Sequence, residues 1–349
     1  MKLLILTQKV DINDDLLGFF HDWIKEFAKH CEKITVICLQ KGEYDLPDNV
    51  KVLSLEKEKN VCKIKYLFNF YKYIWRERKN YNKVFVHMNP EYVVLGGLFW
   101  KLLRKKVALW YVHKAVNLKL RIAEKFADVI FTASKESFQL KSKKVNVLGH
   151  GVDINKFKIQ NNKSQINSKF QIIYVGRISR IKNQELLIKA IEILRRDRTL
   201  SCPVVIDFVG GVCSADDKKY LEKLKKIVKE KKIENYINFI GSVPNKDIAK
   251  IYAKADLSIN LCPTGGVDKA VLESMACGVP VLAFNKTFVK ILCRYADDMI
   301  LENEDPEELA EKIKKIIVGS GHCPKQELRD IIKKDYSLEK LVDRIILSL

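Results

Sequence analysis

Short apolar runs alternate with amphipathic stretches along the whole chain, and this limits the fold more than any other feature. Residues 3–7, 34–39, 51–55, 84–87, 107–111, 129–132 and 145–148 read as strands. Helical spacing of apolar residues fills 17–28, 63–76, 93–103 and 118–126 between them. Strands that alternate with helices predict a parallel sheet with helices on both faces. The pattern pauses at 155–169, where Gln-Asn-Asn-Lys-Ser-Gln reads as a linker. It restarts with strands at 171–175, 204–209, 237–240, 257–261, 281–284 and 299–301. Helices are expected at 183–194, 218–230, 247–253, 306–318, 325–333 and 338–347. The expected class is α/β, with two doubly wound, Rossmann-like units in tandem. Such sheets bind ligands at the carboxyl ends of their strands, so a cleft between the two units is expected.

A length of 349 residues suits two domains, and an apolar content of 47% suffices for their cores. The net charge of +20 is uneven, with 31 Lys and Arg against 17 Asp and Glu in residues 1–165. A basic surface can serve nucleic acid, an anionic membrane or a phosphorylated substrate, or it can be a solvated lysine-rich exterior. No nucleic-acid recognition motif accompanies the charge. The nine cysteines stand singly with no Cys-x-x-Cys, which reads as reduced thiols in a cytoplasmic protein without a disulfide framework or zinc site. Residues 3–6 are too short a run for a signal peptide, and 92–100 falls well short of the roughly 20 residues a membrane span needs. The expectation is a protein that is soluble or peripheral at a membrane.

Two segments carry the chemistry. The strand Tyr174-Val-Gly ends at Gly176 and is followed by Arg177 and Lys182. A missing side chain lets a ligand approach the backbone, and two cations suit a diphosphate. Chemistry alone leaves open a surface arginine and a helix-start lysine. The second segment is Asp268-Lys-Ala-Val-Leu-Glu-Ser-Met-Ala-Cys-Gly-Val-Pro-Val, a short helix bearing Glu273 and stopped by Gly-Val-Pro. Its N-terminus offers free N–H groups to a phosphate or sugar. Val209-Gly-Gly is a further strand-to-glycine exit.

Together these residues resemble the donor-binding half of the retaining GT-B glycosyltransferases of family 4, the glycosyl transferases group 1. The resemblance spans nearly the whole chain and is strongest over residues 171–284. It implies a GT-B fold with an acceptor domain at 1–165, a nucleotide-sugar donor domain at 166–335, and a last helix at 336–349 that crosses back to the first domain. It implies transfer of a sugar with retention at the anomeric carbon, without a metal or other cofactor. UDP- or GDP-sugar would be a substrate, and a glycan or lipid-linked acceptor the partner, in polysaccharide or glycolipid synthesis. The Gly-Arg-x4-Lys run resembles the family's diphosphate clamp, and Glu273 its ribose-binding carboxylate. The implied donor set is Gly176, Arg177, Lys182, Gly210, Gly265, Gly266, Asp268, Lys269 and Glu273. One departure stands out: the family usually has a Glu eight residues before Glu273, and here that position is Gly265. Asp268 either reaches the sugar in its place or only caps the helix.

In the first half, His113 follows a strand where many family members place a His beside the transferred sugar, so the catalytic set is His113, Arg177 and Lys182. His87, after the preceding strand, is the runner-up and is assigned with Gly18 to the acceptor side. Asp11, Asn13, Asp14 and Asp15 begin like a calcium loop but lack its later glycine and glutamate, so no metal site is expected. Residues 63–78 and 92–106 form two helices rich in aromatic or apolar residues and in Lys and Arg. They read either as segments that lie on a membrane surface or as core rings whose edges the lysines cover. Three other function classes remain: a sugar-nucleotide epimerase or hydrolase, an inactive sugar-nucleotide binder, and a nucleic-acid-binding protein.

Overall fold

The computed structural model describes residues 1–159, 169–197, 199–200, 202–319 and 325–349. Of the expected linker at 155–169, residues 160–168 lie outside the described ones. The chain divides into two compact units. One comprises Met1–Asp153, Pro244–Lys246 and Ser337–Leu349, and the other Ile154–Val243 and Asp247–Tyr336.

The first unit is built on seven parallel strands: β1 (Lys2–Val10), β2 (Lys33–Lys41), β3 (Val50–Ser54), β4 (Lys83–His87), β5 (Lys106–Trp110), β6 (Val129–Thr132) and β7 (Val145–Val147). Their order is β3-β2-β1-β4-β5-β6-β7. Four helices follow strands: α1 (Gly18–His30), α2 (Lys63–Arg76), α3 (Pro90–Leu102) and α4 (Leu118–Phe126). Leu3 to Leu6 of β1 are all inaccessible because both faces of the sheet are covered. Phe20, Trp23, Ile24 and Phe27 of α1 recur at helical spacing and join one core. Proline opens α3 at its first turn, where no N–H is needed. A Cβ at Gly97 would lie 2.6 Å from the Phe126 side chain, so glycine lets α3 pack close to α4.

The second unit has five parallel strands: β8 (Phe170–Val175), β9 (Val204–Val209), β10 (Ile237–Gly241), β11 (Leu257–Asn260) and β12 (Val281–Ala283), ordered β10-β9-β8-β11-β12. Its helices are α5 (Gln184–Arg196), α6 (Ala215–Glu230), α7 (Ile248–Tyr252), α8 (Lys269–Ala276), α9 (Val289–Leu292), α10 (Ala296–Met299), α11 (Pro306–Ile317) and α12 (Lys325–Asp335). Ser214 and Asp305 cap α6 and α11 by accepting the N–H of Asp217 and Glu308. The strand expected at 299–301 is absent. Residues up to Met299 are helical, with Asp297 and Asp298 in the first turn of α10, where the helix dipole favours them. What remains is one bridge between Ala283 and Ile300.

The last helix, α13 (Leu338–Ser348), packs into the first unit. Leu338, Leu341, Val342 and Ile345 share a core with α1 and β1. Lys106 Nζ donates to the Ser348 carbonyl at 2.9 Å, and Lys83 Nζ donates to that of Leu349. Both cations thus sit at the negative end of the helix.

Candidate functional site

The strand order of the second unit reverses between β8 and β11, and this switch point is where such sheets open a crevice at their carboxyl ends. The loop after β8 carries Gly176, Arg177 and Lys182. The loop after β11 runs into Asp268 at the start of α8. Gly176 and Gly210 both have φ of +152°, which glycine alone adopts readily. A Cβ at Gly210 would lie 2.1 Å from the Gly176 carbonyl oxygen. The Gly176 N–H donates to Val209 O and the Ile178 N–H to Gly211 O, both at 2.9 Å. Two strand exits therefore lie side by side as bare backbone.

Lys182 ends a short 3-10 turn, and its stem passes Gly176, with Cε 3.8 Å from where a glycine Cβ would be. Its ammonium forms an ion pair with Asp268 across the switch point. Asp268 also accepts from Asn260 Nδ2 at 2.9 Å and from the Ala270 N–H at 3.2 Å, which caps α8. Burial pushes the Asp268 carboxyl up, but the Lys182 charge and these hydrogen bonds outweigh it, and its pKa falls below the ordinary value. Burial likewise works against the charge on Lys182, and Asp268 more than restores it, so the lysine pKa is raised. Arg177 is exposed, and among the described residues its guanidinium makes no ion pair. Gln184 holds the backbone here, donating to Arg177 O at 3.0 Å. Tyr174 OH donates to Lys182 O and accepts the Leu261 N–H at 3.1 Å, so a buried phenol ties the two loops together.

Glu273 is buried, 5% exposed, on α8. Lys269 lies one turn earlier, its Nζ 3.4 Å from Glu273 Oε1, and Tyr252 OH is 3.5 Å from Oε2. Burial pushes the Glu273 carboxyl up, against the opposing pull of Lys269 and Lys156. A carboxyl whose folded pKa lies above its unfolded value supports the fold at low pH and loses that support as pH rises through its titration. The stability of Glu273→Gln relative to wild type should therefore grow from about pH 4 towards neutrality. Melting temperatures of both proteins across that range check this, and a constant difference would contradict it.

Gly265, with φ of +131°, has no atom within 4 Å of a Cβ position, so the departure from the family's Glu leaves open space. Its carbonyl accepts from Asn285 Nδ2 at 3.3 Å, which holds the loop containing Gly266. The structure thus gathers Gly176, Arg177, Lys182, Gly210, Asp268, Lys269 and Glu273 around one switch point. Reading the sequence missed Tyr174, Gln184, Asn260 and Asn285. Their only signal was position, with Tyr174 near one strand end and the asparagines at or just beyond two others.

Gly18, His87 and His113 belong to the first unit. Gly18 opens α1, and a Cβ there would lie 3.1 Å from Asn245. His87, at the end of β4, is buried and stacked on Phe20 at 3.9 Å with 13° between the rings. Its Nδ1 is 3.3 Å from Thr7 Oγ1, across the β1–β4 switch point. His113 is exposed after β5, with Nδ1 accepting the Ala115 N–H at 3.0 Å. In the loop after β1, Lys9 pairs with Asp11 at 3.2 Å and Asp14 at 2.6 Å. Among the described residues no cluster could hold a metal ion.

The profile of the glycosyl transferases group 1 family matches residues 156–335. A D-inositol 3-phosphate glycosyltransferase of Corynebacterium jeikeium is 24% identical over 50% of this chain and 43% of its own, so the chain spans under half that relative. A capsular polysaccharide biosynthesis glycosyltransferase of Staphylococcus aureus, CapH, is 29% identical over 60% of this chain and 58% of its own. The crystal structure of Anabaena HepE in complex with UDP has a TM-score of 0.76 over 100% of this chain and 99% of that one, at 18% identity. That likeness identifies the two parallel-sheet units as the GT-B fold.

Proposed function

Because the chain belongs to the glycosyl transferases group 1 family, we propose that it moves a sugar from a nucleotide-sugar donor to a glycan or lipid-linked acceptor, with retention at the anomeric carbon. Relatives named for capsular polysaccharide and for O-antigen chain synthesis support a role in cell-envelope polysaccharide or glycolipid assembly. Solved neighbours carrying UDP and UDP-glucose support a UDP-sugar donor. We read the protein as working peripherally at the inner face of the membrane; among the described residues no helix is long and apolar enough to cross one.

The observation that carries this reading is the Lys182–Asp268 pair beside two glycine exits at the β8–β11 switch point. The donor diphosphate lies along the Gly176 and Gly210 backbones, with Arg177 and Lys182 on its oxygens. The diphosphate is the leaving group, so these cations meet charge that grows in the transition state. Glu273 accepts the ribose hydroxyls. The open space at Gly265 takes the sugar, Gly266 lies in the same loop, His113 is the proposed catalytic histidine, and Gly18 and His87 serve the acceptor side. Asp268 holds the Lys182 ammonium in place while it caps α8.

Screening UDP-, GDP- and ADP-sugars for thermal stabilisation tests the donor class, because a ligand bound to the folded state raises its stability. Incubating the stabilising donor with and without acceptor then tests transfer, and donor turnover that needs no acceptor would replace transferase with hydrolase or epimerase. Asp268→Asn keeps a residue that caps about as well but loses the charge that holds Lys182. Turnover is expected to fall on the order of tenfold, and the melting temperature is expected to fall as well, because the largely buried Lys182 ammonium loses its counter-charge. Full activity would reduce Asp268 to a cap.

A further inference from the structure

The helices α2 and α3 of the first unit carry an apolar face that the fold does not use. On α2, Ile64, Phe68, Tyr71 and Trp75 recur at helical spacing and are 79%, 61%, 43% and 57% exposed. The core-facing side of the same helix is a different set, Phe70 and Ile74. On α3, Leu95, Leu98 and Leu102 repeat the pattern, and Leu102 is 75% exposed. The two stripes adjoin. Tyr71 OH donates to Leu95 O at 3.1 Å, and the Trp75 and Phe99 rings are 5.9 Å apart. Side chains of this size rarely stay in water as a continuous patch without a partner.

The surrounding charge identifies the partner. Lys65, Lys72, Arg76 and Lys79 are exposed on or just after α2, and Arg78 stacks on Trp75 at 4.1 Å. Tyr81 ties the ends of the two helices together, donating to Ile74 O at 3.0 Å and accepting Trp100 Nε1 at 3.2 Å. At that end lies a cavity of about 540 Å³ lined by Lys101, Arg104, Lys105, Lys106, Lys125 and Lys144. Three of these cations rest on neutral oxygens: Lys105 on Tyr81 O at 2.7 Å, Lys106 on Ser348 O at 2.9 Å and Lys144 on Glu124 O at 2.6 Å. Such bonds orient the ammonium groups without cancelling their charge. Asp128 is the one carboxylate in the lining, and its Oδ2 accepts the Val107 N–H at 2.7 Å. Glu124 approaches Lys144 only to 3.8 Å. Among the described residues Lys101, Arg104 and Lys125 make no ion pair.

We infer that the α2–α3 face is the surface by which this protein docks on an anionic bilayer, with the apolar stripes among the lipids and headgroup phosphates in the cation-lined cavity. A protein partner would need an acidic rim around an apolar centre, whereas an anionic leaflet presents phosphate above hydrocarbon over any area. Exposed aromatic and leucine side chains beside lysine and arginine match that layering. This deepens the peripheral reading and rests on it. A second cavity of about 360 Å³, lined by Leu67, Phe70, Tyr92 and Leu95, opens between the same helices. Docking on this face brings it to the lipid surface, which suits a lipid-linked acceptor.

Co-sedimentation of the full chain with phosphatidylglycerol-containing and pure phosphatidylcholine vesicles tests the inference. The protein should pellet with the first and stay in solution with the second. Binding should weaken as salt shortens the screening length from about 10 Å towards 3 Å. Neutralising Lys101 and Arg104 together, each to Gln, should lower partition about fivefold per cation. Phe68→Ser with Trp75→Ser should lower it too, including at high salt. All four side chains are exposed, so melting temperatures should match wild type and loss of binding is not loss of fold. No pelleting with either vesicle type overturns the peripheral reading as well as the face, and equal pelleting with both overturns the assignment of an anionic bilayer to the face. Vesicle binding that both double variants retain overturns the face alone, as does an α2–α3-dependent dimer in sedimentation equilibrium. Stabilisation by inorganic phosphate without vesicle binding also overturns it. Nucleotide-sugar stabilisation measured alongside keeps the donor reading separate, since either result can fail while the other holds.

Discussion

Turnover of Lys182→Ala should fall roughly 10²–10³-fold with a matched donor, because a preorganised cation aimed at developing negative charge contributes about that much. The side chain is placed for the role, with its stem against Gly176 and its ammonium fixed on Asp268 at the switch point. The same substitution leaves Asp268 without its cation in a site where both side chains are under one quarter exposed. A carboxyl whose folded pKa is depressed adds stability above its unfolded pKa, and that stability is lost as pH falls through the folded value. The melting-temperature deficit of Lys182→Ala should therefore be largest near neutrality and shrink as the solution is acidified through the carboxylate range. Arg177→Ala separates the two effects. Its guanidinium is exposed and makes no ion pair among the described residues, so turnover should fall with no change in melting temperature. Near-wild-type rates in both variants would remove the diphosphate clamp from the account.

Gly210→Ala should be the most damaging single methyl in the second unit. The added Cβ would meet the Gly176 carbonyl oxygen at 2.1 Å, and that neighbour is backbone. The φ of +152° adds a conformational cost on the order of 1–3 kcal/mol. A drop in melting temperature of roughly 4–10 °C follows for a unit of this size, together with loss of nucleotide affinity as the two strand exits are forced apart. Two other glycines calibrate the result. Gly265→Ala meets open space and carries only the cost of its φ. Gly211→Ala would press on Ser242 Oγ, the end of a side chain that can rotate. The expected order of damage is Gly210, then Gly265, then Gly211, and equal melting temperatures for all three would contradict the close approach of the two loops.

Much of this was readable in the sequence because it depends on local order. Uninterrupted apolar runs such as 3–6 and 204–206 can only be buried on both sides, so the sheet strands could be placed from the chain alone. The strand expected at 299–301 was misplaced because Ile300 and Leu301 read alike in a strand or after a helix, while Asp297 and Asp298 favour a helix start. In the site, glycine after a strand and a carboxylate on a short helix are sequence signals, but chemistry alone left Lys182 open, and the family resemblance of the Gly-Arg-x4-Lys run and of the Glu273 helix is what named Lys182 and Glu273. The Lys182–Asp268 pair could not be named, since it joins residues 86 apart in the chain and depends on β8 and β11 being neighbours. Tyr174 was hidden likewise, its hydroxyl reaching across that junction while the residue reads as one more strand aromatic. His87 and His113 follow strands in the same manner, yet one is stacked under Phe20 and the other faces solvent. The rings of α2 show the same ambiguity, since Phe68 and Phe70 read alike and only packing exposes one and buries the other.

A crystal structure of the protein with UDP or a UDP-sugar bound decides whether the β8–β11 switch point holds the donor. The diphosphate is expected against the Gly176 and Gly210 backbones within hydrogen-bond reach of Arg177 and Lys182, and the ribose hydroxyls on Glu273. A nucleotide bound elsewhere, with Arg177 and Lys182 out of reach of its phosphates and Glu273 untouched, would contradict this placement.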